Sequence, residues 1–435
     1  MKKLRVALLG CGNVGSQVAR ILLDDAGELT TRVGAELELT GIAVRNPAAP
    51  RDVDLPASLF TTDAETLIDD ADIVIELMGG LEPAAALIRR AIDGGANVVT
   101  GNKALLAKDL PGLSARAGEA GVQLSYEAAV AGAIPILRPI RDSLAGDRIT
   151  KVMGIVNGTT NYILDAMDTT GAQFDDALAR ATELGYAEAD PTADIEGHDA
   201  AAKAAILATL SFHAPFDLDD VHCEGITAVT AEDVAAAREQ GMVIKLLAIA
   251  ERLGDGNGAE GVGVRVHPTL IPRVHPLAAV HGAFNAVFVE ADNAGELMFY
   301  GQGAGGKPTA SAVVGDVVSA ARRIVLGGPG RTESTTGTVR ALPIEAVSTS
   351  YSIGLRVNDK TGVLAKIATI FTERGVSIES MRQIPEPVDG DEPGSATLRF
   401  VTHQGSEAAL AATVADIEAL KVVTAVTSVL RVEGN

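Results

Sequence analysis

The chain has 435 residues, 47% of them hydrophobic and 21% charged, so it is globular rather than disordered and too long for one ordinary core. Its net charge of −21, from 57 acidic against 36 basic residues, repels phosphate backbones and anionic lipid and argues against nucleic-acid and membrane-surface partners. The two cysteines, Cys11 and Cys223, the lack of a cleavable leader and the lack of an 18-residue apolar run point to a cytoplasmic protein.

Residues 4–9 (LRVALL) read as a buried strand, followed by the glycine turn Gly10-Cys11-Gly12-Asn13-Val14-Gly15 and a helical stretch from about Val14 to Leu23. In a G-x-G-x-x-G turn the first glycine permits a tight bend, the second lets backbone approach a pyrophosphate and the third lets helix pack on strand. The helix start then supplies N–H groups and partial positive charge. Strand, turn and helix in that order point to a dinucleotide site. Residues 37–44 read as the second strand, which in NAD enzymes ends on an acidic residue for the ribose 2′-hydroxyl. Here it ends Ala43-Val44-Arg45-Asn46, with no carboxylate and with an arginine suited to a 2′-phosphate, so NADP(H) is expected to be preferred over NAD(H).

Further strands are expected at 72–77 and 97–100, with a helix over Pro83–Asp93 between them. Alternation of strand and helix predicts a Rossmann-type, doubly wound parallel sheet over residues 1–135. Lys103 follows the 97–100 strand at the carboxyl edge of that sheet, where such folds place ligands.

From 136 to 326 the pattern becomes mixed α+β, read as a substrate-binding and dimerisation domain. Strands are expected at 149–156, 262–266 and 284–289, and helices over Asp199–Phe212 and Ala231–Arg252. The densest polar segment runs from Gly185 to Lys203 (GYAEADPTADIEGHDAAAK). Asp199 and Lys203 are four residues apart and share a helix face, either as a surface ion pair or as working groups. In the second reading carboxylates hold a substrate ammonium and Lys203 faces a reacting carbonyl.

The glycine turn, GNKALLA at 101–107, VNGTTNYIL at 156–164 and the 185–203 segment together resemble homoserine dehydrogenases, over about residues 1–325. That resemblance implies reduction of L-aspartate 4-semialdehyde to L-homoserine, on the route to threonine, methionine and isoleucine. It implies Lys203 as proton donor, Lys103 between cofactor and substrate, and Glu188 and Asp199 on the amino-acid end of the substrate. Gly185 and the Gly301–Gly306 loop, including Gly303, would lie against the cofactor. A sodium ion would sit in the EAAVAGAIP loop, on the Glu127 carbonyl or side chain and the backbone oxygens of Val130, Gly132 and Ile134. The sequence departs from the family at Ala193, where a second acidic residue is common, and at Gly101, commonly alanine.

Residues 327–348 are rich in Gly, Ser, Thr and Pro and read as a linker. Residues 349–435 then show the order β-α-β-β-α-β of a ferredoxin-like unit and resemble an ACT domain. Its strand-to-helix turn matches Asn358-Asp359-Lys360-Thr361-Gly362-Val363-Leu364, whose backbone N–H groups can accept an amino-acid carboxylate. The resemblance implies a homo-oligomer, dimer or tetramer, feedback-regulated by an amino acid such as threonine. The stretch Pro385–Gly394 is longer than such a module needs. His222-Cys223 lacks metal-ligand spacing, and Tyr162 is as readily core as chemistry. The rival readings are another amino-acid oxidoreductase of this layout, or a nucleotide-binding regulator that has lost catalysis.

Overall fold

The computed structural model describes residues 2–254, 260–328, 335, 337–385 and 394–434. The long turn after Pro385 lies almost wholly outside them.

The first sheet has six parallel strands, β1 (Lys3–Leu9), β2 (Glu36–Ala43), β3 (Phe60–Thr61), β4 (Ile73–Glu76), β5 (Asn97–Thr100) and β6 (Leu124–Ser125), in the order β3-β2-β1-β4-β5-β6. The order reverses at β1, which opens a crevice beyond the carboxyl ends of β1 and β4. The central strands are apolar on both sides because helices cover both faces.

One of those helices comes from far along the chain. The sequence reading placed residues 306–326 in the second domain. In the structure Ala310, Val313, Val317, Ala320 and Ala321 of the Gly306–Leu326 helix share a core with Val6, Leu8, Val18 and Leu22. Their spacing forms one apolar stripe, and the first sheet offers a face that the Asn13–Asp24 helix alone leaves bare.

The second sheet contains β7 (Ile149–Ile155), β8 (His222–Cys223), β9 (Met242–Gly254), β10 (Glu260–Pro272), β11 (Phe284–Ala291), β12 (Gly295–Gln302), β13 (Arg340–Leu342), β14 (Ser348–Asn358), β15 (Ile378–Pro385), β16 (Ser395–Thr402), β17 (Gly405–Ser406) and β18 (Val423–Val432). Its main path runs β12-β11-β7-β9-β10-β18-β14-β16-β15. The helix expected over Ala231–Arg252 is two elements: it stops at Glu239, and after Gly241 (φ +69°) the chain enters β9. Residues 243–250 are buried on both sides, so the continuous run VIKLLAIA satisfies a two-sided strand better than a one-sided helix.

The C-terminal module has the expected order, with helices Val363–Glu373 and Glu407–Glu418 covering β14, β16, β15 and β18. It does not hang on a bare linker. Within the segment read as linker, β13 pairs with β10 at 261–263. Farther along the same strand β18 pairs with β10, Thr269 with Arg431 and Leu270 with Val432. No helix among the described residues is long and apolar enough to cross a membrane.

Candidate active site

At the end of β1, Gly10 takes φ +95°, and a Cβ on it would stand 2.6 Å from the Leu77 carbonyl oxygen. A Cβ on Gly15 would stand 2.2 Å from the Gly10 carbonyl oxygen, whereas one on Gly12 meets nothing within 4 Å. Two of the three glycines therefore close the turn, and Gly12 leaves space over the helix start at Asn13. No acidic residue occupies the first turn of that helix, so its positive end is uncompensated. Beside it lies a cavity of about 820 Å³, walled by Gly10, Gly12, Val44, Arg45, Arg51 and Met78 among others.

Arg45 is exposed at that wall and makes no hydrogen bond or ion pair with the described residues. Arg51, missed in the sequence, stacks on Phe60 at 4.1 Å and donates to the carbonyls of Asn46 (3.1 Å), Pro47 (3.0 Å) and Ala49 (2.7 Å). It ties down the loop that carries Arg45. Only the arginine itself, outside any periodic pattern, could have signalled that role. The open Gly12 face, the bare helix end and the adjoining cavity fit a dinucleotide.

On the other side of the turn a second cavity, of about 680 Å³, is lined by Val14, Lys103, Gly132, Asn157, Gly185, Glu188, Asp194, Asp199, Lys203 and Gly303 among others. The structure thus brings together residues that the sequence spreads from Val14 to Gly303. Asp199 and Lys203 come from the His198–Phe212 helix, whose first residue follows Gly197 (φ +83°). Lys203 Nζ donates to Asp199 Oδ2 and to the Val156 carbonyl, each at 2.6 Å. Lys103, at the start of the Lys103–Ala120 helix, donates to the other oxygen of Asp199. Glu188 lies on the exposed rim, in the loop after the Phe174–Glu183 helix. Asn13 faces the start of the Gly306–Leu326 helix, where a Cβ on Gly306 would stand 2.7 Å from its carbonyl oxygen.

Asn157, like Arg51, is a residue to which the sequence alone assigns no role, although VNGTTNYIL contains it. Its Nδ2 donates to Asp194 Oδ1 (2.6 Å) and Asp199 Oδ2 (3.0 Å), while its Oδ1 accepts from Thr160 N (2.9 Å) and caps the Gly158–Thr170 helix. The Asn-x-x-Thr spacing carries the capping signal, but the two carboxylates it reaches lie far away in sequence.

Burial raises the Asp199 carboxyl, but the ammonium groups of Lys203 and Lys103 outweigh it and hold the group below the usual carboxylate range. Burial pushes the Lys203 ammonium below the ordinary lysine value, with Asp199 opposing it. A lysine so placed is held charged by one carboxylate and readied to release its proton by dryness.

In the EAAVAGAIP loop, Ala131 and Gly132 both take φ +56°, and a Cβ on Gly132 would stand 2.3 Å from the Gly303 carbonyl oxygen. The Glu127 carboxylate accepts from Leu137 N (2.8 Å), Arg138 N (2.9 Å) and Arg138 Nε (3.1 Å). Those bonds commit the side chain to the fold, so a hard cation in this loop would have to rely on backbone oxygens. No cluster of three or more His, Cys, Asp or Glu among the described residues could hold a metal. In the C-terminal module Gly362 (φ +86°) opens the Val363–Glu373 helix; Asn358 is half-buried, Asp359 and Leu364 are exposed, and Val363 faces the core.

Two family models, for the homoserine dehydrogenase NAD-binding domain and for homoserine dehydrogenase itself, match residues 10–127 and 135–318, and the ACT domain model matches 351–422. The homoserine dehydrogenase of Mycobacterium tuberculosis is 53% identical, covering 100% of this chain and 98% of that protein. That of Corynebacterium glutamicum is 51% identical, covering 98% and 95%. The crystal structure of a homoserine dehydrogenase from Thiobacillus denitrificans aligns with a TM-score of 0.90 at 41% identity, over 100% of this chain and 99% of that one. A hyperthermophilic archaeal homoserine dehydrogenase in complex with NADPH aligns with a TM-score of 0.62 at 26% identity, over 76% and 100%. The chain belongs to the homoserine dehydrogenases, oxidoreductases with a nicotinamide-nucleotide domain, and carries an ACT domain at its C-terminal end.

Proposed function

We propose that this chain reduces L-aspartate 4-semialdehyde to L-homoserine in the cytoplasm, with NADPH preferred over NADH. The observation that carries the mechanism is the buried Lys203 ammonium, held between Asp199 and the Val156 carbonyl in the cavity next to the cofactor turn. A nicotinamide coenzyme, when bound in the crevice beside the glycine turn, would supply the hydride that the aldehyde carbon takes up. Lys203 donates a proton to the aldehyde oxygen as negative charge develops there, giving the alcohol. Asp199 orients Lys203 and, with Glu188, receives the substrate ammonium. Lys103 holds the second oxygen of Asp199 at the mouth of the nicotinamide-side cavity. Gly10, Gly12, Asn13, Val14 and Gly15 seat the pyrophosphate, Val44 and Arg45 the adenosine ribose, and Gly185 and Gly303 the nicotinamide end.

Backbone oxygens of Glu127, Val130, Gly132 and Ile134 are the proposed sodium ligands, in a loop that buttresses Gly303. The enzyme works as a dimer or tetramer, and threonine bound at Asn358, Asp359, Gly362, Val363 and Leu364 inhibits it. The domains divide near 135, 326 and 348, with the Gly306–Leu326 helix returning to the first sheet.

General acid catalysis contributes about 10²–10⁴-fold, so Lys203→Ala should lose that much kcat in an NADPH-consumption assay while still binding NADPH. Near-normal kcat would refute the role. Cofactor binding without turnover in the wild type would favour a regulator that has lost catalysis.

A further inference from the structure

Three short segments line the open side of β10 in parallel: β13 at 261–263, β8 at 265–266 and the end of β18 at 269–270. β8 and β18 therefore lie end to end, one leading towards the active site and the other closing the C-terminal module. Where they meet, Arg431 Nη1 donates to Glu224 Oε2 at 2.8 Å. The same guanidinium binds Glu407, which also accepts from the Tyr351 hydroxyl at 2.6 Å. Glu407 is buried and Arg431 half-buried; against the cost of burial Glu224 and Glu407 push Arg431 up, and His222 with Arg431 holds Glu224 down. Glu433 anchors the strand end by accepting from Arg265 (2.6 Å) and Lys151 (2.7 Å) of the substrate domain.

From Glu224 the contacts continue without a gap. Gly225 packs so closely that a Cβ on it would stand 2.3 Å from the Ile195 carbonyl oxygen, and Ile226 N donates to that oxygen at 2.7 Å. Cys223 Sγ reaches the Glu196 carbonyl at 3.4 Å. Ile195 and Glu196 lie between Asp194, which binds Asn157, and the helix that presents Asp199 and Lys203. A shift of Glu224 along β10 must push this backbone or break the Ile226 bond.

We propose that Arg431 is a positioning residue for the reaction: through Glu224 and the Gly225–Ile195 contact it fixes the Asp194–Asn157–Asp199 carboxylate set, coupling the ACT module to substrate binding. The coupling rests on the assignment of Asp199 to the substrate made above.

The test uses the full-length enzyme with Arg431→Met, Glu224→Gln and the double variant. Couplings of this kind are commonly about 5–150-fold, and each single variant should raise KM for aspartate 4-semialdehyde about tenfold with the NADPH Kd unmoved. The double variant should be no worse than either single one, because both break the same link. Independent, multiplying effects, or lowered Tm with an unchanged KM, would overturn the proposal. Where Arg431→Met fails to fold, Arg431→Lys keeps the charge but cannot span both carboxylates, and should show an intermediate KM; a wild-type KM there also overturns it. Asp199→Asn serves as the reference. If it leaves KM unchanged, the site assignment itself fails; if it raises KM while the Arg431 variants do not, only the relay fails.

Discussion

Lys203 Nζ lies 2.6 Å from Asp199 Oδ2, one helical turn away, and Lys103 holds the opposite oxygen of the same carboxylate. One buried acid thus serves two ammonium groups. Burial lowers Lys203 from its ordinary 10.5, Asp199 raises it and Lys103 lowers it again. For aldehyde reduction the protonated form is the active one, so kcat should fall as pH rises through this lowered pKa. Homoserine oxidation needs the neutral amine and should rise through the same value. Asp199→Asn removes the main upward pull, so the basic limb of the reduction profile should move to lower pH. A limb that stays in place in Asp199→Asn would show that another group governs the rate.

Gly12 and Gly15 separate cofactor binding from folding. A Cβ on Gly12 meets open space, whereas one on Gly15 meets the Gly10 carbonyl at 2.2 Å. Gly12→Ala should keep the wild-type Tm and weaken NADPH, because the added methyl occupies the pyrophosphate approach. Gly15→Ala should lower Tm by forcing strand and helix apart. Equal thermal shifts in the two variants would contradict this division.

Asn157 has two jobs that substitution can part. Losing an N-cap costs about 1 kcal/mol, so Asn157→Ala should lose that stability together with the bridge between Asp194 and Asp199. Asn157→Asp keeps a good cap but sets a third carboxylate against two others. It should fold nearly as well as wild type yet lose kcat/KM about tenfold or more, since bonds to charged groups contribute about 1.5–3 kcal/mol. Parallel loss of stability and activity in both variants would reduce Asn157 to a cap.

Local patterns carried much of this molecule. The glycine spacing requires its turn, and the four-residue step from Asp199 to Lys203 requires a shared helix face. What periodicity could not reveal is contact between distant segments. Asn157 meets Asp194 and Asp199 only because β7 ends beside both the Thr192–Ile195 turn and the start of the His198–Phe212 helix. The apolar stripe of 306–326 states that the helix is buried but not on which sheet. VIKLLAIA after Gly241 is apolar at every position but Lys245, so the helix and strand periods fit it equally and only its neighbours in the sheet decide. Arg431 stands in a strand of the C-terminal module, where nothing local announces a partner across the domain boundary.

Arg45 bears on coenzyme choice. It is exposed and unpaired among the described residues, whereas Arg51 is held by three carbonyls and the Phe60 ring. A free guanidinium can meet a 2′-phosphate without giving up an existing bond. Arg45→Ala should therefore lower kcat/KM for NADPH by about tenfold, as expected for a charge-assisted bond at an exposed site, and leave NADH nearly unchanged. An unchanged NADPH to NADH ratio would remove Arg45 from coenzyme selection.

The proposed threonine inhibition calls for point variants rather than removal of the module. Cutting the chain near 340 strips β18 from β10 and takes Glu433 from Arg265, whose guanidinium is buried. Taking one partner from a buried ion pair costs about 3–5 kcal/mol, so the truncated enzyme should lose stability and turnover along with any inhibition. Asp359 is exposed on the turn before Gly362, and among the described residues its side chain accepts one long bond, 3.4 Å, from Gln383. Asp359→Ala should therefore fold normally. An effector held at this turn by its ammonium should need about tenfold more threonine for half-inhibition, measured against the variant's own uninhibited rate. Unaltered sensitivity would move the effector away from this turn, while a truncated enzyme with full turnover would show that the β10–β18 junction bears no part of the active site's support.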